Sequence, residues 1–590
     1  MYGIRKFYFR NNFHPEVELL DSVLLRKFYN HFLQVAITSV RIADMQRARL
    51  SAHIIPALLF LDGVISISFA LFAHTLGFDP TPDMGTSRAI MLSLGVFLIF
   101  IAGFLFKTDP ASLTGEKVKT SFLIGHVWIV IIIIYIWYIT FGTFTQWRAS
   151  TRYYSLLAEA FSQGQLHVDV EPGAALLAAD DPYNAEGRPV FDDDVWDLSL
   201  YKGKLYLYWG PVPALIITPI QSALDRPIAD LFLVFFFLCG LLVINSLLIL
   251  KLWRLFFAGI PAQTVVASIF VAGLALPILW SLSIPDVYEA AIGAGQFFLM
   301  GGIYFVVLAF EKDIQKKFLF LAGFFWACSV GSRAINVLPI LFLTALTLFW
   351  VWKHQRKNWI QTSLTLLTPL AMGAILIGWY NWARFDSPLE FGLRYQITIY
   401  NLNRDLPLTF LPEYIPYNIA AYVFHPFEFI SKFPFIQPVK FSTLLQDFGL
   451  SSPHLYAAGN VTGMIFFAPF LFFTFFLFRG AKHPNTLKFI LYLLSGSFLI
   501  SFVCLLLYYY GQMRFLVDVT SQVTLLAILG YWVFSQKSIS SKLGSTLATL
   551  LIVFTLAASL LLAITSESGR MQKWNPELFE KINSSLSLQK

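Results

Sequence analysis

Charge is what this chain has least of. Asp, Glu, Lys and Arg make up 13% of its 590 residues, about half the share usual in a soluble domain, while 57% are hydrophobic. That balance excludes a water-soluble globular enzyme. Cysteine is also scarce. Cys239, Cys328 and Cys504 are the only three, and all fall inside apolar runs, so they read as small core residues and exclude a disulfide framework. No internal repeat, low-complexity tract or cleavable signal peptide is visible, since the first apolar run begins near His53, behind a charged segment. Charges at the centres of the apolar runs are rarer still, Asp62 being the exception. A secondary transporter places ionisable groups and broken helices near the midplane, and this chain does not.

What is present is a series of apolar runs, each long enough to cross a hydrocarbon core of about 30 Å. Thirteen spans are predicted near 53–76, 87–107, 121–143, 229–252, 262–281, 287–310, 317–332, 335–352, 362–382, 461–478, 486–509, 515–535 and 545–565. The expected fold class is an all-α polytopic membrane protein. The formal net charge of +7 does not point to nucleic acid, because the cations sit in short connections. Basic residues in alternate loops orient the chain. Arg5, Lys6, Arg10, Arg26, Lys27, Arg41, Arg47 and Arg49 precede the first span. Lys117 and Lys119, Lys251 and Arg254, Lys312, Lys316 and Lys317, Lys353, Arg356 and Lys357, Arg479 and Lys482, and Lys537 and Lys542 then recur at every second connection. The expected order is a cytoplasmic, amphipathic N-terminal segment at 1–52, a transmembrane domain at 53–565, and a poorly ordered extracytoplasmic tail at 566–590. Two long extracytoplasmic loops are expected at 144–228 and 383–460, the first of them catalytic.

The polar residues gather at the outer ends of the spans: Asp286, Tyr288 and Glu289; Arg333 in "GSRAIN"; Arg384, Arg394 and Tyr395; Arg514 and Asp518 after "YYYGQ". The first loop supplies acids at 180–181, 192–194 and 197. Tyr153, Leu157, Ala160 and Phe161 recur at helical spacing there and predict an interfacial helix. The second loop carries "FHPFEFISKFPFIQPVKF", suited to the headgroup layer or to a lid. Gly210, Pro211 and Pro213 are expected to break the first loop and start the next membrane helix. "HVDVE", with His167, Asp169 and Glu171, is a weak metal pattern, His425 and His454 stand alone, and no metal is expected. Asn460-Val-Thr matches a glycosylation acceptor.

In chain order, "RYYSLLAEAFSQGQL", "DPYN", "WDLSLYKGKLYLYWGPVPAL", "VYEAAIGAGQFFL", "GSRAINVLPILF", "YNWARFDSPLEFGLRYQ" and "MRFLVDV" resemble bacterial integral-membrane glycosyltransferases of the GT-C superfamily, related to the protein O-mannosyltransferase and aminoarabinose transferase group. The resemblance spans roughly residues 121–535. It implies a GT-C-like helical bundle in the bacterial inner membrane. It also implies transfer of a sugar from a polyprenyl-phosphate donor, itself the substrate and with no cofactor required, to an extracytoplasmic glycan, lipid or protein. Many relatives carry an aspartate early in the first loop, where this chain has Gln146-Trp-Arg-Ala-Ser-Thr151, so the base must come from later.

Such a transfer needs a carboxylate for the acceptor proton and cations for the leaving phosphate. Asp197 or Asp181 is the expected base, each otherwise a turn residue. Lys204, Arg333, Arg394 and Arg514 are the expected phosphate contacts. For Lys204 the alternative is a snorkelling interfacial lysine, and for the arginines a structural ion pair with a carboxylate such as Glu289 or Asp518 that only fixes helix packing. Arg152, Tyr153, Tyr206, Tyr208, Trp209, Glu289 and Tyr395 are expected around the sugar and acceptor, the aromatic ones doubling as an interfacial belt. Asp192, Asp193 and Asp194 read as a solvated acidic run or a metal site. Competing readings are a glycan polymerase or ligase, a flippase of lipid-linked sugars, and a non-catalytic carrier-lipid binder.

Overall fold

The computed structural model describes residues 56–79, 81, 85–107, 116–186, 196–311, 313–447, 449, 451–453, 455–478, 483–538, 542–566 and 569–586. The basic N-terminal segment, the acidic run Asp192–Asp194 and His454 lie outside them. The chain divides into two compact units, one of residues 1–70 and 89–126, the other of residues 71–88 and 127–590. In the first, Asp62, the acid expected near a span centre, faces His126 with its carboxylate 2.5 Å from Nδ1.

Each of the thirteen expected spans is helical. Helices α1 (Pro56–Phe72), α2 (Thr86–Lys107) and α3 (Glu116–Ile139) come first. The first long loop then holds α4 (Tyr153–Ser162), α5 (Ala174–Leu177), the hairpin β1 (Ser199–Tyr201) and β2 (Lys204–Tyr206), and α6 (Val212–Leu224). Helix α7 (Asp230–Phe256) returns to the bundle. It is followed by α8 (Ala262–Gly273) and α9 (Leu276–Ser283), a pair bent by 44°. Next come α10 (Val287–Ala309), α11 (Lys316–Val330), α12 (Val337–His354) and α13 (Trp359–Phe385). The second loop carries α14 (Leu402–Asp405), α15 (Ile415–Ile419), the antiparallel pair β3 (Phe427–Phe429) and β4 (Ile436–Pro438), and α16 (Phe441–Asp447). Beyond it, β5 (Ala457–Ala458) pairs in parallel with β6 (Tyr510–Gly511). The run expected at 461–478 is α17 (Met464–Phe467) followed by a 3-10 segment, Pro469–Phe478, broken at its proline. Helices α18 (Asn485–Leu507), α19 (Val517–Ser538) and α20 (Lys542–Thr565) complete the bundle. Among the described residues, eight helices are long and apolar enough to cross a membrane, or nine with the bent pair.

Helices α19 and α10 form the centre, with 89% and 78% of their apolar windows buried, against 22% for α13. The small residues of "AIGAGQFFLMGG" explain the position of α10. A Cβ on Gly302 would stand 2.2 Å from Trp326 Nε1, and one on Gly295 2.8 Å from Asn336 Nδ2. Close backbone approach of this kind drives helix association in membranes, where burial of apolar surface gives no net gain. Helix α10 accordingly packs on α7, α11 and α19.

Two expectations are corrected. The Gly210–Pro213 turn does not start a membrane span. It starts α6, thirteen residues long, which lies against α4 through Ser155 Oγ donating to Gln221 Oε1 at 2.9 Å. The span begins later, at Asp230. The tail is also not poorly ordered: α21 (Arg570–Trp574) and α22 (Pro576–Leu586) fold back on the bundle. Trp574 stacks on Phe141 at 5.9 Å, and Phe579 packs edge-on against Phe433 at 5.5 Å. Amphipathic α22 has an apolar side to bury, and Leu578 is fully buried.

Candidate functional site

The two long loops meet at one end of the bundle, and the residue that joins them is Asp197. Its backbone N–H donates to Ile397 O at 2.9 Å, while Ile397 N–H donates to Leu198 O at 2.8 Å, so the root of the β1–β2 hairpin is stitched to the second loop. Asp197 holds a φ of +60°, a left-handed conformation that Asp tolerates better than most residues. Its side chain is buried and accepts from Gln396 Nε2 at 2.8 Å. Burial pushes its pKa up to about 6, against the opposing pull of the Thr398 hydrogen bond, the Arg514 charge and the Gln396 amide.

The segment after β2 places the aromatic residues. Leu207 O accepts from Arg384 Nη1 at 2.6 Å, and Val212 N–H donates to Gly331 O at 3.1 Å. Between them Gly210 passes the turn at the end of α11 so closely that a Cβ would lie 2.1 Å from Gly331 O. Hence "YWGP" and "GSRAIN" are held side by side. The Tyr208 ring lies 4.0 Å from that of Trp209, and Trp209 meets Tyr288 edge-on at 5.0 Å. The Arg514 guanidinium carbon sits 4.1 Å from the Tyr288 ring centroid, a cation–π contact.

Ion pairs from α10, α19 and α21 line this end. Arg333 grips Asp518, with Nη2 at 2.7 Å from Oδ2 and Nε at 2.9 and 3.0 Å from the two oxygens. Arg514 Nη1 reaches Glu289 Oε1 at a longer 3.5 Å. Arg570, from α21, forks onto Asp286 at 2.6 and 3.2 Å. Both Arg333 and Arg514 stand 5.6 Å from the Phe515 ring. The phenols of Tyr208 and Tyr508 lie within electrostatic reach of Asp197, Arg333 and Arg514, and burial drives the Tyr208 pKa well above its ordinary value. A buried carboxylate, two guanidiniums and several phenols therefore face one small region, an arrangement able to bind a phosphate and take up a proton.

No family model and no curated protein sequence matches this chain. In overall structure it is similar to the Archaeoglobus fulgidus oligosaccharyltransferase in its apo form, at 12% identity and a TM-score of 0.42, with 77% of this chain and 59% of that one covered. The same oligosaccharyltransferase, tethered with an acceptor peptide containing the NVT sequon via a disulfide bond, gives 12%, 0.42, 77% and 58%. ArnT from Cupriavidus metallidurans, bound to undecaprenyl phosphate, gives 10%, 0.37, 78% and 78%. The chain thus spans about three fifths of the oligosaccharyltransferase's length.

Of the residues singled out from the sequence, Asp197, Tyr208, Trp209, Glu289, Arg333 and Arg514 converge here. Tyr153 stands at the edge, its hydroxyl donating to Trp196 O at 2.6 Å and its ring 6.3 Å from Trp209. The others lie elsewhere. Asp181 is exposed and closes a turn, Oδ1 accepting from Tyr183 N–H at 3.0 Å and Oδ2 from Asn401 Nδ2 at 2.9 Å. Lys204 is exposed on β2, and Arg152 is exposed before α4. Arg394 pairs with Glu390 at 3.1 Å. Tyr206 and Tyr395 pack on Phe385 at 5.3 and 5.7 Å, beneath Tyr201, whose hydroxyl donates to Asp386 at 2.8 Å. His167 lies against Tyr206 at 6.2 Å.

Sequence reasoning missed Gln396, Thr398, Tyr508 and Arg570, and gave no role to Asp286 or Tyr288, whereas Glu289 and Asp518 are the carboxylates it offered the arginines as ion-pair partners. "PDVYE" did carry a signal: Asp286 and Glu289, three apart, form a reciprocal capping box at the start of α10. Nothing local marks Arg570. At 146–151, Thr151 Oγ1 accepts from Val287 N–H at 3.0 Å and Ser150 Oγ contacts Asp286.

Proposed function

We propose that this protein is an integral-membrane glycosyltransferase of the GT-C kind, moving a sugar from a polyprenyl-phosphate donor to a glycan, lipid or protein acceptor on the extracytoplasmic face of the bacterial inner membrane. The observation that carries the reading is the placing of Arg333 and Arg514 against one aromatic ring, Phe515, beside the buried carboxylate of Asp197. In the proposed step the bond from the anomeric carbon to the phosphate oxygen breaks as the acceptor oxygen attacks that carbon. The electron pair leaves with the phosphate, whose charge the guanidiniums stabilise. The acceptor proton passes to Asp197, which with a pKa of about 6 is mostly ionised at neutral pH. No metal is required in this scheme.

In this reading the lipid tail lies along α13. An open apolar groove on α13 is lined by Ile375, Gly378, Trp379, Trp382 and Pro388. On the same helix the Asn381 amide donates to Pro388 O and accepts from Arg384, which itself donates to Leu207 O.

The test is product analysis on purified protein in lipid, with radiolabelled polyprenyl-phosphate sugars, a membrane extract as acceptor source, and the Asp197→Asn variant as control. Label moving to a new product, and lost in the variant, is the expected result. Transfer surviving in the variant removes Asp197 as base. A flippase reading has one observation in its favour: Asn245 Oδ1, Gln296 Oε1 and Gln522 Oε1 are buried within the bundle without a described hydrogen-bond partner. Counterflow of labelled substrate in proteoliposomes without covalent product would favour it.

A further inference from the structure

Asp197 belongs to the first loop, but the hydrogen-bond donors on its carboxylate come from the second. Gln396 leaves the short turn Leu393–Tyr395 in an extended conformation, with φ −68° and ψ 133°, and bridges antiparallel to Ser199. Side chains two apart on an extended chain point to the same side, which suits Gln396 and Thr398 to one target. Ile397, between them, supplies the backbone pairing with Asp197 and Leu198. Its two neighbours supply the side chains. Gln396 Nε2 donates to Asp197 Oδ1 at 2.8 Å, and the Thr398 hydroxyl bonds the same carboxylate. Gln396 and Thr398 are both buried.

Two opposed effects meet at this acid. Burial favours the neutral form, and each donor favours the charged one. The other groups that face Asp197 come from other elements. Arg514, just before α19, adds its charge, and the phenols of Tyr208, after β2, and Tyr508, after α18, lie within electrostatic reach. None of these changes when residue 396 or 398 is replaced. The segment is also fastened independently of its two donors. Ser199 Oγ donates to Gly392 O at 2.8 Å, and the Tyr395 ring stacks on Phe385 at 5.7 Å. Loss of a donor can therefore be separated from loss of the loop.

We propose that Gln396 and Thr398 are positioning residues for Asp197: the second loop aims the first loop's carboxylate and keeps it charged, so that the acid is a competent base only with both donors in place. The inference rests on the glycosyltransferase reading for the reaction that the carboxylate serves. It does not rest on that reading for the control of the carboxylate by the second loop.

The experiment takes two pH profiles on the full-length protein in nanodiscs, one of thermal unfolding and one of transfer from radiolabelled undecaprenyl-phosphate sugars to a membrane extract. The variants are Gln396→Leu, Thr398→Val and Thr398→Ser, each also made with Asp197→Asn. With Asp197 at about 6, stability in the unmodified protein falls as pH rises and levels off above about pH 6. Removing a donor should raise that value by about one unit. In Gln396→Leu and Thr398→Val the fall should then continue to about pH 7, and it should vanish with Asp197→Asn. Their transfer midpoint should rise by the same amount, so that activity at about pH 6, relative to that at about pH 8.5, drops about fivefold. Thr398→Ser keeps the hydroxyl and should keep both midpoints. A purely structural role lowers stability alike at every pH and leaves the midpoints in place. That result overturns the proposal, as does a Thr398→Ser that behaves like Thr398→Val. A shifted unfolding profile with no transfer from any donor upholds the control of Asp197 by the second loop and overturns the glycosyltransferase reading instead.

Discussion

Replacing Asp197 with Asn should make the protein more stable and less active at once. The carboxyl is buried, and its pKa stands at about 6 rather than 3.8. A folded-state pKa above the unfolded one means that the folded chain holds the proton more tightly. Stability is then greatest below about pH 4, falls as pH rises from about 4 to 6, and stays low above that. A shift of about two units at about 1.4 kcal/mol each gives roughly 3 kcal/mol lost at pH 8. Asn cannot ionise, so the variant avoids the loss. Its amide oxygen still accepts from Gln396, and its NH₂ can donate to the Thr398 hydroxyl. Thermal unfolding followed by tryptophan fluorescence should therefore show a gain for Asp197→Asn at pH 8 that fades toward pH 4.5. Transfer should need the ionised acid, rise with a midpoint near pH 6, and fall about 10²- to 10⁴-fold in the variant. Destabilisation at pH 8, or a shift of the same size at both pH values, would refute the argument that burial sets this pKa. Full activity in the variant would refute the role as base.

Asp181→Asn should leave transfer within about twofold, because Asn can accept the same turn hydrogen bond from Tyr183; the same product assay checks it. Arg333→Gln should cost about 3–5 kcal/mol, since Asp518 would be left buried without its cation. Adding Asp518→Asn should recover part of that loss in thermal unfolding. Gly210→Ala should cost about 1–3 kcal/mol by overpacking, as the new methyl has no room against Gly331 O, and a lower unfolding temperature of the purified protein would show it.

The spans could be read because a bilayer dictates them. Hydrocarbon thickness sets a minimum length for each apolar run, and alternating basic loops mark the connections. The run at 461–478 met the composition rule but not the geometry, because Pro469 breaks the helix and a 3-10 segment follows. The site was legible at the level of its elements and less so at the level of its partners. Arg333 and Asp518 are 185 positions apart, and no local pattern pairs them. Asp181 and Asp197 look alike in sequence, each an acid in a turn-forming stretch. What separates them is burial, and Asp197 is buried because Gln396 and Ile397 of the other long loop close over it. That information lies 199 residues away. The C-terminal arm escaped for the same reason: α22 looks like a polar tail until its apolar side finds Gly142 and Phe433.

The geometry also ranks the two central arginines. A guanidinium at the edge of a low-dielectric bundle is not left unpaired without cost, so every cation of a phosphate site must hold some partner before the ligand arrives. What matters is how hard that partner is to displace. Arg333 makes three contacts of 2.7–3.0 Å to a carboxylate whose side chain is 2% exposed, and breaking them would strand Asp518. Arg514 reaches its carboxylate at a longer 3.5 Å and lies against the face of Tyr288. A phosphate competes poorly for a cation held as Arg333 is. On the transferase reading, Arg333 therefore sets the field of the site and holds α11 and α12 to α19.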